Sequence, residues 1–403
     1  MLALQVFRWL LLGVEILIAL PILYLCVVSI SAILASKNRS KEHTHSKPTP
    51  IKFAILIPAH DEELILGNLL ESLSALAYPK DQYTVHVIAD NCTDNTAKLA
   101  RAVGWVNVHE RFDDVKRSKG YALSWLIQKL EKNHLFYDAY VILDADSLVE
   151  PNFLQAMAAE LAEGARVLQA SNTVLNVTEA PSATLRWIAM TLINHVRPLG
   201  RNALGASSTL TGNGMCLSRS VLMQHPWQAY SIAEDYQYYL TLVQQGERVR
   251  YVPEAVVRSQ MPTTFSQMRT QDIRWEIATL EQGTGQIALG LLRAGLRFRD
   301  MVRIEAIAEL LTPPLSLLVC ISFLTLIGSF ITWSPREVIL SLVLILGLLL
   351  YVGTAFYFLR PPLSVYKVLL SAPGFMLWKL WVFLVLRRSK KHTSVWEQTT
   401  RTA

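Results

Sequence analysis

The chain has 403 residues, of which 52% are hydrophobic and only 17% are charged. Soluble domains average roughly 25% charged residues, so the composition indicates a membrane-associated protein with room for one sizeable folded domain. The net charge of +6 comes from basic residues beside apolar runs, which argues against a nucleic-acid partner. Four cysteines are too few for a disulfide-stapled secreted domain.

The first predicted element is a transmembrane helix within residues 1–36. The apolar run from Leu10 to Ala35 is long enough for a bilayer core of ~30 Å at ~1.5 Å per residue. A basic linker follows at 37–50, and the positive-inside rule predicts that it faces the cytosol. Glu15 in the apolar run has two interpretations, an interfacial or protonated carboxyl, or a partner for a polar group in another helix.

Residues 51–276 are predicted to form an α/β domain in which short strands alternate with helices. The predicted strands are 53–58, 85–90 and 139–144, and the predicted helices are 62–76 and 93–103. This alternation predicts right-handed βαβ units and a Rossmann-like, mostly parallel sheet. Ligands bind such sheets beyond the carboxyl ends of the strands, so we expect Asp90 and Asp144 to face one crevice.

Beyond the α/β domain, the sequence predicts a return to the membrane. Residues 277–308 are expected to form amphipathic interfacial helices, because arginines alternate there with leucine, isoleucine and phenylalanine. Residues 309–388 are expected to form a membrane region of two spans plus a third span or re-entrant segment. A basic cytosolic tail follows at 389–403. Transmembrane helices are therefore expected at both ends of the α/β domain.

Asp144 and Asp146 are separated by one alanine, just past a predicted buried strand. Two carboxylates in that position repel each other, and a divalent cation would relieve the repulsion. Mg²⁺ and Mn²⁺ prefer oxygen ligands, and such an ion can stabilise a departing diphosphate. The alternative is an ordinary solvated turn.

Other segments combine site chemistry with an ordinary structural alternative. Lys119 precedes Gly120 at the start of a predicted helix, and a cation at a helix N-terminus suits a phosphate. The turn from Gly212 to Gly214 would let the backbone approach a substrate closely. Lys119 could equally be a solvated lysine. Asp90, the segment from His60 to Glu62, and the pair Glu234–Asp235 could equally be capping or turn residues.

Gln271, Arg274 and Trp275 offer an amide, a fixed cation and an indole face within five residues. Indole faces stack on sugar rings, and arginine can clamp a diphosphate through two parallel hydrogen bonds. The alternative is a turn of an ordinary amphipathic helix.

The order of these motifs resembles the inverting family 2 glycosyltransferases, in the membrane-bound branch of cellulose, hyaluronan and chitin-oligosaccharide synthases and ceramide glucosyltransferase. The resemblance covers about Phe53 to Trp275 and implies a GT-A fold in a cytosolic catalytic domain. It implies that Asp235 is the general base and that Asp144 and Asp146 hold the metal. The implied donor-binding residues are His60, Glu62, Asp90, Lys119 and Asp144. The implied acceptor- and diphosphate-binding residues are Gly212, Asn213, Gly214, Glu234, Gln271, Arg274 and Trp275.

The expected function is transfer of a sugar of the glucose or N-acetylglucosamine class from a nucleotide sugar, a UDP-sugar by the resemblance, to a glycan acceptor. The expected process is polysaccharide or oligosaccharide synthesis at the inner (cell) membrane. Transfer of a single sugar to a membrane lipid is the alternative. Ala233 replaces the threonine of many processive synthases, and the predicted membrane segments are few. These departures argue against a self-contained polysaccharide channel and leave an export or accessory membrane subunit as an open partner.

Overall fold

The computed structural model describes residues 2–39, 51–261 and 284–388. Eight strands in this part of the chain form one mixed sheet in the order β3-β2-β1-β4-β7-β6-β8-β5. Pairing is parallel from β3 through β4 and between β6 and β8, and β7 and β5 pair antiparallel with their neighbours. The strands are β1 (Phe53–Ala59), β2 (Tyr83–Asp90), β3 (Asn107–Arg111), β4 (Ala139–Ile142), β5 (Ser147–Val149), β6 (Val167–Val174), β7 (Met215–Ser218) and β8 (Val249–Ser259).

Helices cover both faces of the sheet, as expected when successive strand side chains point to opposite faces. Along β1, Ile55 packs with α2 and α5, whereas Leu56 packs with α4 and α9. The helices of this domain are α2 (Leu66–Ser74), α3 (Thr96–Ala102), α4 (Lys119–Lys132), α5 (Phe153–Ala162), α6 (Pro181–Thr191), α7 (Arg197–Ala203), α8 (Arg219–Gln224) and α9 (Glu234–Gln244). A π-helical turn, Leu192–Val196, joins α6 to α7. The sequence-based expectation of an α/β domain with a mostly parallel sheet is confirmed.

The first helix of the domain is shorter than its periodicity predicts. It starts at Leu66 rather than at Glu62, because the preceding backbone amides bond to the loop that follows β2. Glu62 N donates to Thr96 Oγ1 at 2.8 Å, and Glu63 N donates to Asp94 Oδ2 at 3.0 Å. The ends of β1 and β2 are thereby joined, which shapes the crevice beyond them.

The apolar helices lie near the two ends of the chain. Before the sheet comes α1 (Leu2–Arg39), and after it come α10 (Thr284–Phe298), α11 (Met301–Leu311), α12 (Leu315–Ile331), α13 (Pro335–Leu359), α14 (Leu363–Val368) and α15 (Ala372–Arg388). In the described ranges, α1 and α13 are long and apolar enough to cross a membrane. The pair α11 and α12, bent by 66°, would be a third span if it counts as one.

The segment predicted to form amphipathic helices over residues 277–308 contains two helices in its described part, α10 and the start of α11. Arg299 adopts φ +53°, and this left-handed conformation ends α10. Asp300 then caps α11, because its Oδ1 accepts a hydrogen bond from Val302 N at 2.9 Å.

The helix α1 packs on α13 and on the α/β domain. Glu15 is fully buried, and its Oε1 accepts a 2.6 Å hydrogen bond from Ser341 of α13. Of the two interpretations of Glu15, the structure supports a polar partner in another helix. On the domain side, Gly200 of α7 lies so close to α1 that a Cβ there would overlap the carbonyl of Val28.

Candidate active site

Four segments that are separated in sequence meet beyond the end of β4. Lys119, the first residue of α4, donates to Asp144 Oδ1 at 2.6 Å and to the Gly212 carbonyl at 2.8 Å. Its Nζ also lies 3.4 Å from Glu234 Oε1. Gly120 lets α4 approach this point, because a Cβ there would overlap the carbonyl of Ala229. The structure therefore brings together a half-buried ammonium and residues from the predicted metal, acceptor and base motifs.

Asp235 lies against the glycine turn from the other side. It belongs to the first turn of α9, and Gly212 faces it with φ +77°. A Cβ on Gly212 would lie 2.9 Å from Asp235 Oδ2, so a side chain at this position would crowd the carboxylate. Glycine is required here both for the left-handed backbone and for the close approach.

The protonation behaviour of this cluster follows from burial and charge. Burial, with the nearby carboxylate of Glu234, raises the pKa of Asp235 to about 7 against the opposing charge of Lys119. Burial also raises the pKa of Glu234 above its ordinary value. Burial alone would lower the pKa of Lys119, but the carboxylates of Asp144 and Glu234 outweigh it and raise that pKa above its usual range. The cluster thus combines a permanent cation with a carboxyl that titrates near neutrality.

Asn213 uses its side chain to hold the site together. Its Oδ1 accepts from the Asp144 backbone N–H at 3.2 Å. Its Nδ2 donates to the hydroxyls of Ser147 at 2.7 Å and Ser259 at 2.9 Å. Gln169 donates to the Asn213 carbonyl at 2.8 Å. The predicted acceptor-binding turn is therefore anchored through Asn213, and the sequence carries no motif that would have singled out Gln169 or Ser259.

A second group lies at the ends of β1 and β2. Asp90 is buried and pairs with Arg111, whose Nη1 lies 2.5 Å from its Oδ1. Burial raises the pKa of Asp90, although the Arg111 guanidinium opposes the shift. His60 Nδ1 lies 2.7 Å from the Asp90 carbonyl oxygen. Arg111 is a functional candidate that the sequence reasoning missed, and its position at the end of β3 is the signal that could have found it.

The loop between these strand ends contains a cluster of possible metal-binding atoms. One ligand atom each from Asp61, Cys92 and Asp94 lies within 4.8 Å of the others. Asp61 Oδ1 accepts the backbone N–H groups of Thr93 at 2.6 Å and Asp94 at 3.2 Å. These oxygens build the loop itself, so the cluster is explained as a structural turn.

The remaining predicted site residues lie either at the carboxyl-end edge of the sheet or outside the described part of the chain. Asp146 is half-buried just before β5. Glu62 lies in the loop after β1, which is the neighbour of both β2 and β4 in the sheet. Because β1, β2 and β4 are parallel, their carboxyl ends share one edge. The predicted residues Gln271, Arg274 and Trp275 lie outside the described part of the chain.

Comparison with known proteins identifies relatives of the central domain. A family model described as "Glycosyltransferase like family 2" matches residues 49–278. A probable glycosyltransferase, YdaM, of Bacillus subtilis is 25% identical over 258 residues, which are 59% of this chain and 57% of that protein. A beta-monoglucosyldiacylglycerol synthase of Nostoc is 27% identical over 188 residues, 45% of this chain and 39% of the relative. The matches to these two relatives thus span about half of their length or less.

Two further similarities extend over more of the chain. An N-acetylglucosaminyltransferase of Rhizobium leguminosarum is 22% identical over 337 residues, 76% of this chain and 75% of the relative. Among solved structures, the mannosyltransferase PcManGT of Pyrobaculum calidifontis, in complex with GDP-Man and Mn²⁺, aligns with a TM-score of 0.53 and 15% identity. That alignment covers 96% of this chain and 97% of the mannosyltransferase, and it supports the same fold.

Proposed function

Since the chain belongs to glycosyltransferase family 2, we propose that it is a membrane-bound inverting glycosyltransferase that moves glucose or N-acetylglucosamine from a UDP-sugar to a glycan acceptor. The observation that carries the proposal is the contact of Asp235 with the glycine turn beside Lys119 and Asp144. It sets a carboxyl with a pKa of about 7 beside a half-buried cation at the ligand-binding edge of the sheet.

In this proposal Asp235 is the general base. Its carboxylate takes the proton from an acceptor hydroxyl, whose oxygen then forms a bond to the anomeric carbon of the donor sugar. The bond from that carbon to the diphosphate breaks, and the diphosphate leaves with the bonding electron pair. Attack from the side opposite the leaving group inverts the anomeric configuration. A base with a pKa near the working pH suits this task.

Lys119 and the N-terminus of α4 would stabilise the diphosphate. The free N–H groups of a helix N-terminus and a cation together favour an anion. Lys119 already balances the carboxylates of Asp144 and Glu234. Its positive charge therefore couples the protonation of the base to the charges on the donor side of the site.

Asp144 and Asp146 fit a divalent cation by their chemistry. Among the described residues, Lys119 pairs with two carboxylates of the site motifs, those of Asp144 and Glu234. Carboxylate oxygens are the hard donors that Mg²⁺ and Mn²⁺ prefer, and we propose that Asp144 and Asp146 would hold the ion. When bound, it supplies Lewis-acid stabilisation of the leaving diphosphate. The Mn²⁺ in the PcManGT complex is consistent with this proposal.

We propose that His60, Glu62 and Asp90 bind the nucleoside part of the donor. Asp90 and His60 are fixed by their contacts with Arg111 and with each other, so this end of the crevice is rigid before the donor arrives. Gly212 and Gly214 would line the acceptor side. Gln271, Arg274 and Trp275 stay candidates for the diphosphate and the acceptor sugar.

A second candidate function is transfer of one sugar to a membrane lipid. The helix α10 favours it, because Leu289, Leu292, Leu296 and Phe298 are exposed on a helix that also carries arginines. Such a helix suits a membrane surface from which a lipid acceptor could enter. The similarity to the Nostoc beta-monoglucosyldiacylglycerol synthase points in the same direction.

One experiment tests both candidates. Purified inner membranes containing the protein are incubated with radiolabelled UDP-glucose, UDP-N-acetylglucosamine and GDP-mannose, and the products are partitioned into lipid-soluble and polymeric fractions. Label in the polymeric fraction supports the glycan acceptor, and label in the lipid fraction supports the alternative. Intact cells given the donor from outside should form no product, because we propose that the catalytic domain faces the cytosol. No transfer with any donor would contradict the proposed function.

A further inference from the structure

A buried ionic network lies beneath the helix that carries the proposed base. We call it the α7–α11 network, and its members are Arg197, Arg201, Tyr239, Glu305 and Glu309. Arg201 is 1% exposed and donates to Glu305 from Nε at 2.6 Å and from Nη2 at 2.9 Å. Its Nη2 also lies 3.1 Å from the hydroxyl of Tyr239. Because a buried guanidinium is stable only when its N–H groups find acceptors, Arg201 fixes α7, α9 and α11 against one another.

The network continues into the helices of the membrane region. The hydroxyl of Tyr24 on α1 lies 2.6 Å from Glu305 Oε1 and 3.1 Å from Glu309 Oε2. Arg197 donates to Glu309 Oε1 at 3.2 Å and to the hydroxyl of Tyr351 on α13 at 2.7 Å. Both α1 and α13 are long and apolar enough to cross a bilayer. The network therefore reaches two candidate spans.

On the catalytic side the network ends one helical turn from the base. Tyr239 follows Asp235 by four residues on α9, which places the two side chains on the same face about 6 Å apart along the axis. The other end of α9 is held by the same membrane-side helix, because Arg303 of α11 donates to the Gln244 carbonyl at 3.2 and 3.1 Å. The position of α9 thus depends on α11 directly at Gln244 and, through Arg201 of α7, at Tyr239.

We propose that Arg201 and Tyr239 are positioning residues that couple the helices of the membrane region to the placement of Asp235. The proposal rests on the assignment of Asp235 as the base. A displacement of about 1 Å at a reacting group can cost up to about a hundredfold in rate, so a small shift of α9 has a large effect. The network pairs two arginines with two glutamates, and hydrogen bonds in such a low-dielectric site are strong and directional. A change in α1 or α11 is therefore transmitted to the base.

The test uses two tyrosines that are neighbours on α9. Tyr239→Phe removes only the hydroxyl that bonds to Arg201. Tyr238→Phe is the matched control, because Tyr238 is equally buried and its hydroxyl donates to the His225 carbonyl at 2.6 Å, outside the network. Turnover is measured as nucleoside diphosphate release in membranes with the donor identified by the radiolabel experiment. We expect Tyr239→Phe to lower kcat roughly tenfold with donor KM unchanged, and Tyr238→Phe to change kcat by less than about twofold.

The pH profile of kcat separates positioning from a general loss of stability. Loosening α9 admits water to Asp235, so Tyr239→Phe should lower the midpoint of the acid limb by about half a unit, and Tyr238→Phe should leave it in place. Equal effects of the two substitutions on kcat and on this midpoint would overturn the proposal. Asp235→Asn is assayed in parallel. If it keeps full turnover the base assignment fails, and the comparison of the two tyrosines still decides whether the network affects the rate.

Hydrogen–deuterium exchange tests the same coupling without a substrate. Tyr24→Phe changes α1 alone, and we expect faster exchange in α11 and in the first turn of α9. Tyr239→Phe should speed exchange in α11, whereas Tyr238→Phe should not. Exchange in α9 that is unaffected by Tyr24→Phe would contradict the link to the membrane region.

Discussion

Lys119 and Asp144 form a 2.6 Å ion pair that joins the start of α4 to the segment after β4. The same ammonium lies 3.4 Å from Glu234 and accounts for part of the electrostatic environment of Asp235. The donor side and the acceptor side of the proposed reaction are therefore linked through the charge of Lys119. A change of charge on either side should alter the electrostatic environment of the other.

Asp235 should govern the pH dependence of the reaction. With a pKa of about 7, the carboxyl is about half deprotonated at neutrality and fully deprotonated well above it, so kcat should rise through pH 7 to a plateau. Asp235→Asn should lower the turnover rate by about 10²–10⁴-fold and leave donor affinity nearly unchanged. Asp90→Asn is the comparison, because it should weaken donor binding first. Single-turnover rates and donor dissociation constants measure these two effects separately. If Asp235→Asn lost donor binding but kept its chemical rate, the base assignment would be wrong and Glu234 would be the next candidate.

The substitution Asp235→Asn should stabilise the fold at alkaline pH. A carboxyl whose pKa is raised in the folded state contributes stability below its unfolded pKa, and this contribution is lost as the pH rises through about 7. Asp235→Asn carries no such loss, so its apparent Tm should exceed that of the natural protein at pH 8 and approach it at pH 5. A lower Tm at pH 8 would contradict the role of burial in raising this pKa.

Removing the charge of Lys119 should move the pH profile in the alkaline direction. Lys119 lowers the pKa of Asp235 against the effect of burial, so Lys119→Met should shift the acid limb of kcat above pH 7. Turnover at pH 7 should fall by at least about tenfold, since the anion site also loses its cation. Lys129→Met, on the same helix and over the Trp125 ring, is the control that should change neither quantity. An unmoved acid limb in Lys119→Met would show that the two groups are not coupled.

Gly212→Ala should impair catalysis more than folding. The substitution adds the strain of a left-handed alanine, about 1–2 kcal/mol, and sets a methyl group against Asp235. Gly205 has φ +80° with open space around it, so Gly205→Ala measures the strain alone. We expect similar losses of apparent Tm in both variants but reduced turnover only in Gly212→Ala. Equal turnover in the two would argue against a close approach of Asp235 to this turn.

Activity should require Mg²⁺ or Mn²⁺. Excess chelator should abolish transfer, and Asp146→Asn should do nearly the same, because it replaces a hard anionic ligand with a neutral amide. Asp81→Asn, at an exposed carboxylate away from the site, serves as the control. Transfer at full rate in the presence of chelator would remove the cation from the mechanism.

A buried histidine pair should make the fold sensitive to acid. His86 Nδ1 lies 3.1 Å from His109 Nε2, and burial lowers their pKa values to about 3 and about 4. The folded state resists protonation that the unfolded chain accepts near pH 6.5, so stability should fall as the pH drops from 6.5 toward 4, by on the order of 1 kcal/mol per pH unit from His86. Thermal unfolding in detergent at several pH values should show a shallower slope for His86→Phe. His134→Asn, at an exposed histidine, should keep the natural slope.

Local patterns in the sequence predicted three of the eight described strands, β1, β2 and β4, because each is a short, mostly apolar run, and the other five strands were not predicted. Ile55 and Val141, on β1 and β4, lie in such runs and are fully buried, as the parallel sheet requires. Helix ends were less predictable, since the start of α2 depends on hydrogen bonds that the backbone amides before it donate to Thr96 and Asp94, about thirty residues away. No local pattern reports such contacts.

Within the site, residues on strand ends were accessible to sequence reasoning and their partners were not. Asp90 and Asp144 were selected as strand-end carboxylates. Arg111, the partner of Asp90, and Gln169, which donates to the Asn213 carbonyl, come from other strands and reach these partners only after the sheet has formed. The two interpretations of Glu15 could be separated only when Ser341, 326 residues away, was found beside it.

The close packing of α1 on α7 has a practical consequence for protein engineering. The helix α1 has 38 residues and is ~57 Å long, well beyond the ~30 Å core of a bilayer. Leu25 and Ala32 on α1 are fully buried, in one apolar cluster with residues of the π-helical turn and α7. A version trimmed of its first 39 residues for soluble expression would expose an apolar surface of the α/β domain. We therefore expect such a truncated enzyme to aggregate, and crystallisation or screening should keep this helix.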